Sequence, residues 1–382
     1  MNTIKKILFL VGLPGQFDVL QTFTFELEAA VRRRGVETKV LHFQSEGLGG
    51  LAAAVARMHP DYIVGFNLVP SSNLMLDVID VPFVSIFVDS ITYFPNVINC
   101  KNLIACFVEK DSCKFLQALG GPKTLFLPHA IDQVHLEKQQ EVVRDLDVVA
   151  PCTFYDPQMY IEAWNSRFSK KLVRFLHELA DEVLSSSDYS ALELFCRRAE
   201  EVQDDIAKTG LAPCDIVNSL EQYIRAYDRV QLLKAIEGAD LHIFGPKSEH
   251  ESWKKVLGAK SRLFLHDPVA YSALPAIFRR AKIVVNSMPM IKSGIHERLL
   301  LALSQSASVL TSKNRYIARF FSESKAVCSI LAQDYGQIPE KLHAMLENEE
   351  ERLRAVHGLK ETLKEHFTWD VRAGELLYAM NM

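Results

Sequence analysis

Between residues 4 and 130 one pattern recurs: a short, β-rich apolar run followed by an amphipathic stretch of helix length. The runs are Ile7–Val11, Thr38–Phe43, Tyr62–Phe66, Phe83–Val88, Leu103–Val108 and Thr124–Leu127. They are nearly free of polar residues, whereas a strand with one wet face alternates polar and apolar positions. Strands buried on both faces need helices above and below, so the segment predicts a doubly wound parallel sheet. This pattern constrains the fold more than any single motif in the chain.

A polar stretch from Asp132 to Asp145 separates this unit from a second one opened by the strand-like run Asp147–Ala150. From about 158 to 237 the pattern is helical, with Leu172, Phe175, Leu176 and Leu179 at helical spacing and Pro213 interrupting it. Three or so helices are expected there, as an insertion or an enlarged crossover. Strand and helix alternation then resumes at Leu241–Phe244, Arg262–Leu265, Ile283–Val285, Ser308–Thr311 and Val327–Ile330. A chain of 382 residues exceeds what one core usually holds. The predicted domains are residues 1–140 and 141–368, the second carrying the helical block 158–237, followed by a closing segment 369–382. No repeat of solenoid or propeller period occurs.

Composition removes several function classes. The 43 basic and 47 acidic residues are well mixed and leave a net charge of -4, so there is no broad positive field for a nucleic acid backbone. Gly12, Pro14 and Gly15 end the first apolar run too early for a signal-peptide core or a membrane span. The seven cysteines include no C-x-x-C pair, which predicts free thiols, no zinc site and a cytoplasmic setting.

Ligands of open parallel sheets bind beyond the carboxyl ends of the strands, where loops gather and helix N-termini present N–H groups. Gly12-Leu-Pro-Gly15-Gln16, after the first strand, has neither of the recognisable phosphate-loop spacings and reads as a turn into a helix or a loop facing an acceptor. Gly47-Leu-Gly49-Gly50 reads as a helix start. Asp89 follows the fourth strand, as an acceptor-binding or proton-accepting carboxylate or as a helix cap. His129 lies at a strand end with Asp132 near enough to orient its ring, or is a structural histidine. After the run Ile283–Val285 come Asn286, Lys292, Ser293, Gly294, His296, Glu297 and Arg298. That order, strand then loop then charged first helical turn, suits an anion, because a helix N-terminus carries about half a positive charge and arginine offers a rigid fork to phosphate oxygens. Gly245 and Lys247, after Leu241–Phe244, are candidates for a second phosphate contact; a surface ion-pair cluster is the competing reading of both places.

Several blocks in order resemble the CgeB-like (spore maturation protein) glycosyltransferases: Phe87-Val-Asp89, Leu127-Pro-His129-Ala, Asp147-Val-Val, Ile243-Phe-Gly245, Ala281 to Asn286, Gly294-Ile-His296-Glu297-Arg298, and Phe367-Thr-Trp369-Asp370-Val-Arg372. The resemblance implies a GT-B fold of two facing Rossmann-like domains, with a nucleotide-sugar donor held mainly by the second and an acceptor by the first. It implies a final helix after Trp369 that returns to the first domain, and a donor pocket lined by Gly245, Asn286, Gly294, His296 and Arg298. Two positions depart from the related pattern. Leu301 stands where a ribose-binding glutamate is common, and Ser306 replaces a turn glycine.

The expected activity is glycosyl transfer without a metal or bound cofactor, the nucleotide sugar being a co-substrate and the acceptor a glycan, lipid-linked saccharide or protein. Arg298 with Lys247 or Lys292 is expected to face the diphosphate, and Asp89 or His129 to supply a base. The competing expectations are a catalytically silent GT-B-like protein that binds a nucleotide or a partner, and an unrelated two-domain binding protein or dehydrogenase. The missing dinucleotide fingerprint argues against the last.

Overall fold

The computed structural model describes residues 4–12, 16–69, 79–100, 102–137, 142–258 and 262–382. It contains two six-stranded sheets whose paired strands all run parallel, in the orders β2-β1-β3-β4-β5-β6 and β12-β11-β10-β7-β8-β9. The first holds β1 (Lys6–Val11), β2 (Glu37–His42), β3 (Tyr62–Phe66), β4 (Phe83–Phe87), β5 (Leu103–Phe107) and β6 (Lys123–Phe126). The second holds β7 (Leu146–Pro151), β8 (Leu241–Phe244), β9 (Leu263–His266), β10 (Ala281–Asn286), β11 (Ser308–Ser312) and β12 (Val327–Ile330). Each expected run is a strand to within a residue or two. Ile7, Leu8, Phe9 and Leu10 are all fully buried, as residues covered on both faces must be.

The chain divides into two compact units, the first comprising Met1–Glu137, Ala270–Leu274 and Glu361–Met382, the second Lys138–Val269 and Pro275–Lys360. The helix Trp369–Met380 therefore packs within the first unit. Asp370 accepts from Arg33 at 2.8 and 2.7 Å, Tyr62 donates to the Met380 carbonyl at 2.8 Å, and Lys123 to that of Ala379 at 2.7 Å. Trp369 also enters an aromatic cluster with Phe23 and Phe66.

The helical stretch is the crossover from β7 to its neighbour β8, enlarged to five α-helices: Pro157–Arg167, Lys170–Ser185, Ala191–Arg198, Gln203–Thr209 and Pro213–Lys234. Three or so helices were too few. Pro213 does not interrupt a helix but begins the longest one, where its missing N–H costs nothing, while Gly210 at φ 68° ends the helix before it. The block has its own core of Trp164, Leu172, Phe175, Leu176, Leu179, Leu220 and Ile224. Gly47, at φ 59°, breaks the stretch Phe43–Met58, so the regular helix starts beyond it.

Candidate functional site

In the second sheet β7 comes first in the chain, β8 and β9 add on one side, and β10 to β12 on the other. The strand order therefore reverses between β7 and β10, and a crevice opens where loops leave such neighbours in opposite directions. The loop after β7 starts at Cys152, and the loop after β10 leads through Ser287 to Arg298 in the first turn of the helix Glu297–Ser304. The residues that the sequence offers as candidates for an anion site lie on this loop and the helix it enters.

A buried polar network holds the loop in shape. Asp228, on the helix Pro213–Lys234, accepts from Ser287 at 2.6 Å, from Tyr335 at 2.5 Å and from Ser312 at 3.3 Å. Burial raises its carboxyl pKa, opposed by the Ser287 and Tyr335 hydrogen bonds, the charge of Lys292 and the Ser312 hydroxyl. Ser312 in turn accepts from the Met288 N–H at 2.9 Å. Asn314 donates to the carbonyls of Ile291 at 2.7 Å and Gly294 at 3.2 Å while capping the helix Arg315–Phe321. Such satisfied networks fix one loop conformation, because an unmade bond in the interior is costly.

At the helix entry the His296 ring accepts from the Arg298 N–H at 3.2 Å, and the same Nδ1 lies 2.9 Å from the Glu297 carboxylate. One nitrogen serves one of these at a time. Burial holds the His296 pKa below its usual value, opposed by Glu297 and reinforced by the charges of Arg298 and Arg225. The neutral ring that caps the helix is thereby favoured.

The other wall of the crevice was not anticipated. Arg229, one helical turn beyond Arg225, is buried at 8% exposure, donates to the Thr153 carbonyl at 2.6 Å and lies over the Tyr155 ring at 5.5 Å. Burial lowers its pKa, and the like charges of Arg298 and Arg225 add to the effect. Arg229 and Arg298 both act on Cys152, whose thiol pKa burial nevertheless raises. Arg229 thus stands at the first residues after β7, with Arg225 one turn before it on the same helix. Arg225 and Arg298 are half-buried, and neither guanidinium has a hydrogen-bond or ion-pair partner among the described residues. The spacing of Arg225, Asp228 and Arg229, which puts them on one side of that helix, was the available signal.

The remaining candidates fall in different places. Lys292, expected at the diphosphate, is 2% exposed and donates to the carbonyls of Val183 at 2.9 Å and Ser186 at 2.8 Å, at the end of the helix Lys170–Ser185. Its ammonium closes a helix end. Gly245 is required by packing, since a Cβ there would stand 2.5 Å from the Cys152 carbonyl. Lys247 is exposed on a short turn. Asn286 is fully buried and donates to Thr311 at 3.1 Å, while its Oδ1 has no hydrogen-bond partner among the described residues. Leu301 lies wholly in the core, and Ser306 adopts φ 60°, the left-handed backbone for which a glycine is best suited.

In the first sheet the order reverses between β1 and β3. Residues 13–15 of the loop after β1 lie outside the described residues. After β3, Asn67 at φ 52° donates to Asp89 at 2.9 Å and accepts from the Val88 N–H at 3.0 Å. Asp89 is not the helix cap, because Ser90 takes that part for Ile91–Tyr93. His129 is 3% exposed and packs edge-on against Phe23 at 5.6 Å. Asp132 accepts from Val134 at 3.0 Å, capping a short turn instead of orienting that ring.

Among the described residues no group of three or more His, Cys, Asp or Glu side chains is disposed to hold a metal ion, and no helix is long and apolar enough to cross a membrane. The seven cysteines are free.

Two doubly wound parallel sheets in succession, with the last helix returned to the first unit, make this a GT-B fold, the fold of many glycosyltransferases. The model of a family described as glycosyl transferase-like matches residues 225–378, a stretch that begins at Arg225. A glycosyltransferase from Rickettsia africae superposes with a TM-score of 0.58 at 10% identity, covering 100% of this chain and 98% of that one. Sucrose-phosphate synthase from Thermosynechococcus elongatus gives 0.58 at 9% identity, covering 98% of each chain. HepE from Anabaena, solved with UDP and glucose, gives 0.56 at 10% identity, covering 99% of each. No curated protein sequence matches the chain.

Proposed function

We propose that the chain is a glycosyltransferase of the CgeB-like kind, which moves a sugar from a nucleoside diphosphate donor to a hydroxyl on a glycan, a lipid-linked saccharide or a protein. The observation that carries this reading is the set of arginines at the strand-order reversal of the second sheet, with Arg298 in the first turn of a helix. The UDP and glucose found with HepE support a nucleotide-sugar donor.

In the proposed reaction the bond between the sugar's anomeric carbon and the diphosphate oxygen breaks, its electron pair leaving with the diphosphate. A bond from the acceptor oxygen forms, and the hydroxyl proton passes to a base. Charge builds on the leaving group, so donors aimed at it lower the barrier more than they strengthen ground-state binding. Arg298, at the positive end of its helix, takes this part without a metal ion. Of the two bases considered, Asp89 is the better placed, half-exposed and oriented by Asn67, whereas His129 is enclosed beside Phe23.

Arg298→Ala is expected to lower donor-dependent turnover by about 100-fold, as loss of one preorganised contact does, with little change in melting temperature. Turnover equal to wild type removes Arg298 from the mechanism. Leu301, buried where related enzymes carry a glutamate, favours one second reading, a protein that binds the nucleotide without transferring sugar. Calorimetric binding of a nucleoside diphosphate, with no hydrolysis or transfer across a panel of donors, selects it.

A further inference from the structure

We infer that Arg225 is a second diphosphate-binding residue, which together with Arg298 grips the anion from the opposite wall of the crevice. The inference rests on the donor-binding reading above and adds a residue to it. Arg225 projects from the helix Pro213–Lys234, an element of the crossover from β7 to β8, not from the loop and helix that follow β10. Arg225 lies one helical turn before Asp228 and Arg229, of which Asp228 accepts from Ser287 on the loop after β10 at 2.6 Å and Arg229 donates to the Thr153 carbonyl after β7 at 2.6 Å, so the face that carries Arg225 is set against the two loops between which Arg298 lies.

Like charges gathered in this way repel one another, and proteins keep them so where an anion completes the set. Glu249 accepts from the Phe154 N–H at 2.6 Å, and neither Glu249 nor Glu297 makes an ion pair with Arg225 or Arg298 among the described residues. Arg229 is already committed to the Thr153 carbonyl and the Tyr155 ring and acts as a positioning residue. Arg225 and Arg298 retain free forks. Two forks suit two phosphates, and one suits a monophosphate, so the site as built discriminates a diphosphate from a monophosphate by its second arginine.

The helix itself is held in place independently of any ligand. Asp228, between the two arginines in sequence, ties it to Ser287, Ser312 and Tyr335. Arg225 is thus presented from a fixed surface, and its removal should not disturb the fold, because its side chain is half-exposed and makes no hydrogen bond or ion pair among the described residues.

The test is titration calorimetry of the full chain with inorganic pyrophosphate, UDP, GDP, ADP and the matching monophosphates. In Arg225→Ala the affinity for pyrophosphate and for the preferred nucleoside diphosphate should fall by about 10- to 100-fold. Affinity for the matching monophosphate should fall by less than about threefold, and the melting temperature should stay within a degree or so of wild type. Arg225→Lys should lie between, having the charge without the fork. Unchanged diphosphate affinity, or equal losses for mono- and diphosphate, overturns the inference and leaves the donor-binding reading standing. Failure of the wild-type chain to bind any of the diphosphates sinks both.

Discussion

Lys292 illustrates how burial reassigns a side chain. A lysine two residues before a glycine at a helix entry reads as a phosphate ligand. At 2% exposure it instead closes the helix Lys170–Ser185 and supplies a positive charge that acts on Asp228. Lys292→Met would leave two carbonyls and a buried carboxylate without that partner, so unfolding in urea should show a loss of about 3 kcal/mol. Pyrophosphate affinity at a temperature where the variant is folded should be close to wild type. A large loss of affinity with unchanged stability would return Lys292 to the anion site. Ser306 makes a related point about the backbone. The turn after the helix Glu297–Ser304 demands a left-handed residue at φ 60°, a conformation that suits glycine better than the serine present.

Among the elements, the helix Trp369–Met380 is held to the first unit by polar contacts and by Trp369, whose indole N–H donates to Glu26 at 2.6 Å. Burial lifts the Glu26 carboxyl pKa from 4.5 to about 8, opposed by the Trp369 bond and reinforced by Asp132. Below pH 4.5 folded and unfolded forms are both protonated and the full stability is present. As pH rises toward 8 the unfolded chain ionises first, and stability is lost. Glu26→Gln keeps an acceptor for the indole without the charge. At pH 8 the variant should therefore be more stable than wild type by on the order of 4 kcal/mol, and the two should coincide near pH 4. Parallel stability curves from pH 4 to 8 would show that Glu26 is ionised in the fold. The helix Pro213–Lys234 plays the corresponding part in the second unit. One face enters the core through Leu232 and Leu233, while Arg225, Asp228 and Arg229 line or brace the crevice.

For the molecule as a whole, two sheets mean two cores, and the chain's last segment belongs to the first of them. Truncation after Thr368 removes Trp369, Ala373, Leu376 and Met380, all buried. At about 1.5–3 kcal/mol for each large apolar side chain, the first unit should lose more than about 4 kcal/mol. Hydrogen exchange is the direct readout. Amides of β1 and β3 should exchange faster in the truncated chain, and those of β7, β10 and β11 at the wild-type rate. Equal protection of β1 and β3 with and without the segment would show that the first core is complete without it.

The strands and their grouping into two sheets were legible in the residues, because burial on both faces demands uninterrupted apolar runs, and turn residues mark where each run ends. So was the place of Arg298, since a strand, a loop and a helix in succession put the first helical turn at the sheet's carboxyl edge. The convergence of Arg225 and Arg229 on that place was not. Arg225 and Arg298 stand 73 positions apart in the sequence, and no local pattern records that a crossover helix turns its charged stripe toward the loop after β10. Asp89 was legible as a residue at a strand end, but its partner Asn67 came from the loop of another strand. Lys292 was misplaced for the converse reason: local spacing says where a side chain begins, and the surrounding packing decides which groups its charge must satisfy. Periodicity and turn chemistry are local and so are written in the chain, whereas a site assembled from distant segments exists only once the sheets and their crossovers have closed around it.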